Sequence, residues 1–192
     1  MNNLHLLSTG GVGTYAIEEW GRPYWSQSRM SPHTRSPIVH IGRQRFMYVF
    51  GDPRNQLMSF FRRGFMKAPY EHCKHVSGNV KYLAQRKEWT VVDYLQDEYD
   101  AYMLYEHLKG WLTHHPRNYD IMFVRYEALS KPAVRQRMQE WVGQDKPFEF
   151  APRASNWKEQ LTATNRVAIN RMFGPMTLLI EQLPDVTEIR CS

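Results

Sequence analysis

The stretch LLSTGGVGTYAIEEW, residues 6–20, decides how this chain is read. It begins apolar, places glycine at positions 10, 11 and 13, and then sets Ile17 and Trp20 three apart with Glu18 and Glu19 facing elsewhere. That is the pattern of a buried strand over LHLLST (4–9), a tight turn and an amphipathic helix. Glycines directly after a strand let backbone N–H groups converge, and the helix that follows adds the positive end of its dipole. Such a turn suits a phosphate or a similar oxyanion; a plain glycine-rich connection is the alternative. Two known versions fail. A Walker A loop needs lysine after its last glycine, and here Thr14 follows Gly13. Gly11-Val12-Gly13-Thr14-Tyr15-Ala16 satisfies the dinucleotide fingerprint, yet no acidic residue lies between Glu19 and Asp52 to meet a ribose hydroxyl.

The same strand–turn–helix unit recurs downstream. RFMYVF (45–50) is aromatic and β-branched enough for a buried strand, and GDPRNQLMSFFRRGF follows it with Asp52 as N-cap and Pro53 at the first helical position. Between the two units, residues 21–37 hold three prolines and no acidic residue, which reads as a basic loop. TVVDYLQDEYDAYMLYEHLKGWLTHH (90–115) has apolar residues at helical spacing and predicts two helices or one broken one. YDIMFVRYEAL (119–129) is a third strand, Pro132 opens a helix ending at Gly143, and a Trp157-centred loop leads to a helix from about 162. A frayed end is expected after Pro184. Strands alternating with helices predict an α/β fold: a single domain with a mostly parallel central sheet flanked by helices and a P-loop-like phosphate-binding turn after the first strand. Its ligand site belongs at the carboxyl ends of the strands.

The totals agree with this reading. A chain of 192 residues, 42% apolar and 14% aromatic, is long enough for one real core. A formal charge of +6 calls for a polyanionic partner: nucleic acid, a membrane surface or a phosphate-rich small molecule. Cys73 and Cys191 lie far apart, so no disulfide framework is expected and a reducing compartment is the default. No run reaches the roughly 18 apolar residues of a membrane span. The start, MNNLHLLSTGG, lacks a basic region followed by a long apolar one. The expectation is a cytoplasmic protein.

LLSTGGVGTYAI, RFMYVFGDPRNQLMSFFRR, DIMFVRYEAL and PRASNWKEQLT, in that order, resemble the sulfotransferase family. The likeness runs from residue 4 to about residue 163 and is strong within those four segments; its most specific element is the RDPRD-like turn with a serine eight positions on, here Gly51-Asp52-Pro53-Arg54 and Ser59. The resemblance implies a metal-independent enzyme that transfers a sulfuryl group from 3′-phosphoadenosine 5′-phosphosulfate to a hydroxyl or amine. It implies that Gly10, Gly11, Val12, Gly13, Thr14 and Tyr15 cradle the 5′-phosphosulfate, and that Ser59 bonds the 3′-phosphate. Tyr126 then approaches the adenine, and Arg153 closes a late loop on the 3′-phosphate. Two positions depart from the pattern. Gly51 stands where the family has an arginine, for which Arg54 is the candidate substitute because a guanidinium grips phosphate bidentately. Gly11 stands where the first loop carries lysine or arginine, and losing such a transition-state contact costs about 10²–10³ in rate. Arg22, Arg29, Arg35 and Arg43 are candidates to replace it.

Sulfuryl transfer needs a base for the acceptor's proton, and a histidine of near-neutral pKa suits the task. His33 is the first candidate by position and His40 the second; Glu18 or Glu19 would serve if the helix turned one inward. His72, Cys73 and His75 in EHCKH raise a zinc reading, but no second cluster at ligand spacing completes it, so no metal is expected. The acceptor is unidentified; the short chain favours an open cleft and a large acceptor such as a glycan or peptide. Two other classes stay open: a nucleotide- or phosphate-binding protein without catalysis on the same fold and, as the weakest reading, a basic nucleic-acid-binding module using FFRRGFMKAPYEHCKHVSGNVKY.

Overall fold

A computed structural model of the chain describes residues 4–25, 44–64, 85, 88–113, 118–154 and 156–191. Strands β1 (Leu4–Ser8), β2 (Gln44–Phe50), β3 (Tyr119–Arg125) and β4 (Val186–Ile189) form one sheet in that order. The β1–β2 and β2–β3 pairs are parallel, with Leu6 opposite Met47 and Met47 opposite Met122, and β4 runs antiparallel to β3. The described helices are α1 (Thr14–Gly21), α2 (Pro53–Arg62), α3 (Val91–Gln96), α4 (Leu104–Thr113), α5 (Pro132–Val142) and α6 (Ala163–Gln182). A 3-10 turn, Tyr126–Ser130, joins β3 to α5.

The central strand explains the layering. Along β2, Phe46, Tyr48 and Phe50 belong to one core and Met47 and Val49 to another, as the two-residue period of a strand requires. A strand buried on both faces reads as an unbroken apolar run, which is how RFMYVF stands out in the sequence. The first core lies against α2, α3, α4 and α6 through Leu57, Tyr94, Trp111 and Phe173; the second lies against α1 and α5 through Ile17 and Met138. One polar pair is sealed inside the larger core, Tyr48 Oη to His107 Nδ1 at 2.7 Å.

Local signals hold at the helix ends. Asp52 caps α2, accepting from Arg54 N–H at 2.9 Å, with Pro53 in the first turn. Thr90 and Asp93 form a capping box that starts α3, and the break before α4 falls at 97–103, where Glu98 and Met103 take left-handed φ of 51° and 53°. The end of the chain differs from the expectation. After Pro184 it does not fray but forms β4, with Val186 opposite Val124 and Ile189 opposite Ile121. Four residues, Val-Thr-Glu-Ile, without alternation in polarity are too short and too irregular a pattern to announce a strand. What orders them is tertiary: β3 has a free edge, Arg125 N–H bonds the Asp185 carbonyl at 2.9 Å, and Glu188 pairs with Arg137 and Arg190.

The start of α4 depends on one carboxylate. Asp100 accepts from Leu104 N–H at 2.7 Å, and burial pushes its carboxyl up to about 6 against the pull of that bond. An acid whose folded value lies above its unfolded one binds protons more tightly when folded, so its share of stability is present at low pH and is lost as pH rises from about 4 to about 6. Asp100→Asn keeps a capping side chain and removes the titration. Urea titrations should show the variant gaining about 1–3 kcal/mol on the wild type between pH 4 and pH 7, and equal pH slopes for both would refute the assignment.

Candidate functional site

Because β1, β2 and β3 are parallel, the turns that leave them gather along one edge of the sheet. Residues 9–13 follow β1, Gly51 and Asp52 follow β2, and the 3-10 turn follows β3. They pack too closely for ordinary side chains. A Cβ on Gly51 would lie 3.0 Å from Glu127 Oε1 and 3.2 Å from Val12 Cγ1, so a larger residue there would require these neighbours to shift. The same turn holds Gly10, Gly11 and Gly13 at φ of 89°, 73° and 69°, the left-handed region that glycine occupies without strain. Ser8, fully buried, braces it from below: its Oγ accepts from Gly10 N–H at 3.0 Å and shares a hydrogen bond with Thr14 Oγ1 at 2.8 Å. Gly13 occupies the N-cap of α1 and no side chain caps that helix. The first N–H groups of a helix lack intrahelical partners, so a helix start without a side-chain cap suits an external acceptor.

A cleft of about 330 Å³ opens at this edge, and Gly11, Gly13 and Tyr15 form one wall. The opposite wall is a face of α2. Asn55, Ser59, Arg62 and Arg63 recur there at helical spacing. Ser59 is 4% exposed, and its Oγ has no hydrogen-bond partner among the described residues. A buried hydroxyl without a partner costs about 1–3 kcal/mol, which a ligand in the cleft would relieve. The third wall is aromatic: Tyr126 and Phe150 meet edge to face with centroids 5.9 Å apart, and Phe148 stacks on Phe150 at 5.5 Å. Tyr126 Oη accepts from Arg153 N–H at 2.9 Å, which ties the loop after Phe150 to the rim. The described lining residues include Arg62, Arg63 and Arg153 but no carboxylate and no imidazole. Its field favours an anion.

Of the residues singled out by sequence, Gly11, Gly13, Tyr15, Ser59, Tyr126 and Arg153 line this cleft. Gly10, Val12 and Thr14 shape the same turn without lining it; Val12 is buried in the second core. Arg54 is held elsewhere. Its Nε and Nη2 donate to both oxygens of Asp52 at 2.7 and 3.0 Å, Nη1 donates to Asn170 Oδ1 at 3.0 Å, and the guanidinium lies 4.8 Å over the Trp157 ring. It clamps the start of α2 to α6 and borders a smaller depression of about 160 Å³ with Arg125 and Glu127. There burial pushes the Glu127 carboxyl up, opposed by the bond it accepts from Asp52 N–H. Arg22 pairs with Glu19, and Glu18 is exposed; none of the three lines the cleft. His33, His40, Arg29, Arg35, Arg43, His72, Cys73 and His75 lie outside the described residues.

Sequence reading missed Asn55, Arg62, Arg63 and Phe150. The signal was available: once Ser59 is placed on the ligand side of α2, the positions four before and three or four after it share that side. Among the described residues no group of three or more His, Cys, Asp or Glu could hold a metal ion, and no helix is long and apolar enough to cross a membrane. No family model, curated protein or solved structure matches the chain.

Two substitutions test the construction of the site. Gly13→Ala puts a methyl 2.9 Å from Tyr126 Cε2 and 3.0 Å from Phe150 Cζ at a left-handed φ. It should cost about 1–3 kcal/mol in urea unfolding, and a neutral result would show the turn to be slack. Arg54→Ala should cost about 1–2 kcal/mol through the lost clamp, checked by thermal melting.

Proposed function

We propose that the cleft binds 3′-phosphoadenosine 5′-phosphosulfate and that the protein transfers its sulfuryl group to a hydroxyl or amine acceptor. The observation that carries this reading is the meeting, in one cleft, of an uncapped glycine turn and a buried, unpartnered Ser59 hydroxyl backed by Arg62 and Arg63. Two anion-seeking walls facing one another suit a ligand charged at both ends, and the aromatic pair Tyr126 and Phe150 supplies a surface for a planar base between them. The glycine turn and the start of α1 receive the 5′ end by backbone N–H donation. Ser59 donates its hydroxyl proton to the 3′-phosphate, with Arg62, Arg63 and Arg153 neutralising charge around it. Tyr126 has already accepted from Arg153 N–H, so its own proton is free to donate to a ring nitrogen.

In this reaction the acceptor oxygen or nitrogen bonds to sulfur as the sulfur–oxygen bond to the 5′-phosphate breaks. The acceptor's proton passes to a base, for which His33 and His40 are the proposed groups. A second reading, a nucleotide-binding protein without catalysis, draws on Gly11, which offers no cation to the leaving oxygen. Transfer of labelled sulfate to a panel of glycan and peptide acceptors separates the two.

Calorimetry with 3′,5′-adenosine bisphosphate tests the shared step. Binding should be seen at micromolar ligand, and Ser59→Ala should weaken it about 5–10-fold, the worth of one charge-assisted hydrogen bond. No heat at millimolar ligand would end both readings.

A further inference from the structure

We infer that Gln56 is the strut that sets the distance between the two anion-binding walls, a positioning role that rests on the nucleotide reading above. Gln56 lies in the first turn of α2 and is 1% exposed. Its Oε1 accepts from the Thr9 hydroxyl at 2.5 Å, and its Nε2 donates to the Gly51 carbonyl at 3.0 Å. A carbonyl can only accept, so the Gly51 contact fixes which way the amide points. Thr9 is the first residue after β1 and Gly51 the first after β2. One side chain therefore joins the ends of two neighbouring strands, with a buried hydrogen bond to each.

A steric contact completes the joint. A Cβ on Gly11 would lie 3.2 Å from Gln56 Cα and 3.5 Å from its Cβ, so the glycine turn rests directly on this residue. Ser59, Arg62 and Arg63 follow three, six and seven positions later on the same side of the cleft. Any shift of the glycine turn relative to Gln56 is thus a shift relative to the far wall. Packing alone does not call for glutamine at a position this buried, where leucine would fill the space without polar atoms to satisfy. The amide is retained for what it joins: it offers one donor and one acceptor in fixed geometry to one acceptor and one donor.

The consequence is a chelate effect. A ligand anionic at both ends gains over its two halves only while the spacing of the walls matches its length. Gln56 does not line the cleft, so loosening it leaves each wall chemically intact and removes only the match. Three variants do this. Gln56→Met is unbranched and of similar length and removes both bonds without adding charge; Gln56→Leu removes both bonds; Thr9→Val removes one from the other side.

The test is calorimetry at fixed salt with 3′,5′-adenosine bisphosphate, adenosine 5′-monophosphate and adenosine 3′-monophosphate, with melting curves for every protein. Wild type should bind the bisphosphate at least about 100-fold more tightly than either monophosphate. Each variant should lose about tenfold or more of the bisphosphate affinity, keep both monophosphate affinities within about twofold, and the double variant Thr9→Val with Gln56→Leu should be little worse than Gln56→Leu alone. If the leucine variant fails to fold, the methionine and Thr9→Val proteins carry the comparison. Parallel weakening of all three ligands would show Gln56 to be a support of the fold only, and an unchanged bisphosphate advantage would overturn the strut outright. Wild type lacking any bisphosphate binding would instead remove the nucleotide reading, a result seen before any variant is made.

Discussion

Three parallel strands ending at one edge impose the constraint from which the site follows. Parallel pairing puts the exits of β1, β2 and β3 side by side, about 4.8 Å apart in the pairing direction. Three turns must then share space that full side chains would overfill. Glycine at 11, 13 and 51 is the chain's answer: the first two also adopt left-handed backbone, and the third leaves room for Val12, Tyr126 and Glu127 to close over it. Crowding brings backbone donors together, and it does so where the helix after β1 begins. On the proposed reading, anion binding at this edge would be a by-product of packing as much as of charge.

Charge then decides what the edge accepts. The acids nearest the turns, Asp52 and Glu127, are engaged away from the cleft, one with Arg54 and the other with Asp52 N–H. Arg54 loses its freedom in the same arrangement, since its donors are committed to Asp52 and Asn170. The cleft is left with guanidinium groups on α2 and on the loop after Phe150, and they have no ion-pair partner among the described residues. Like charges lining one cleft favour a polyanion over a neutral ligand. The unpartnered Ser59 hydroxyl sits deeper, where water is scarce and a hydrogen bond is worth more.

How much of this was legible in the sequence depends on the range of each cause. Local causes read well: Asp52-Pro53 marks a helix start, and the apolar runs at 45–50 and 119–125 give the two inner strands. The glycine turn, Ser59, Tyr126 and Arg153 were placed in one site from four separated segments, and the structure brings them to one cleft. Non-local causes read badly. β4 owes its order to the free edge of β3, and nothing in VTEI carries that. Arg54 reads as a ligand group because a guanidinium near a helix start grips phosphate; instead it folds back on Asp52, two residues away, and on Asn170 and Trp157, more than a hundred residues on. Arg62 and Arg63 were passed over for the opposite reason, a basic pair at a helix end being the commonest kind of solvated surface.

These cases meet in α2, which serves three neighbours with three faces of ten residues. Its start is clamped by Arg54 to α6, its apolar side carries Leu57 and Phe60 into the larger core, and its remaining side presents Asn55, Ser59, Arg62 and Arg63 to the cleft. A helix fixed on two sides cannot rotate to suit a ligand on the third. On the proposed reading, recognition at this wall would rest on preorganisation, in which the cost of ordering Ser59 and its neighbours is met during folding rather than at binding. The same rigidity makes the opposite wall the one that needs holding. The glycine turn is held by Val12 in the second core and by the Ser8–Thr14 bond, and on its other side it rests on α2 through Gln56.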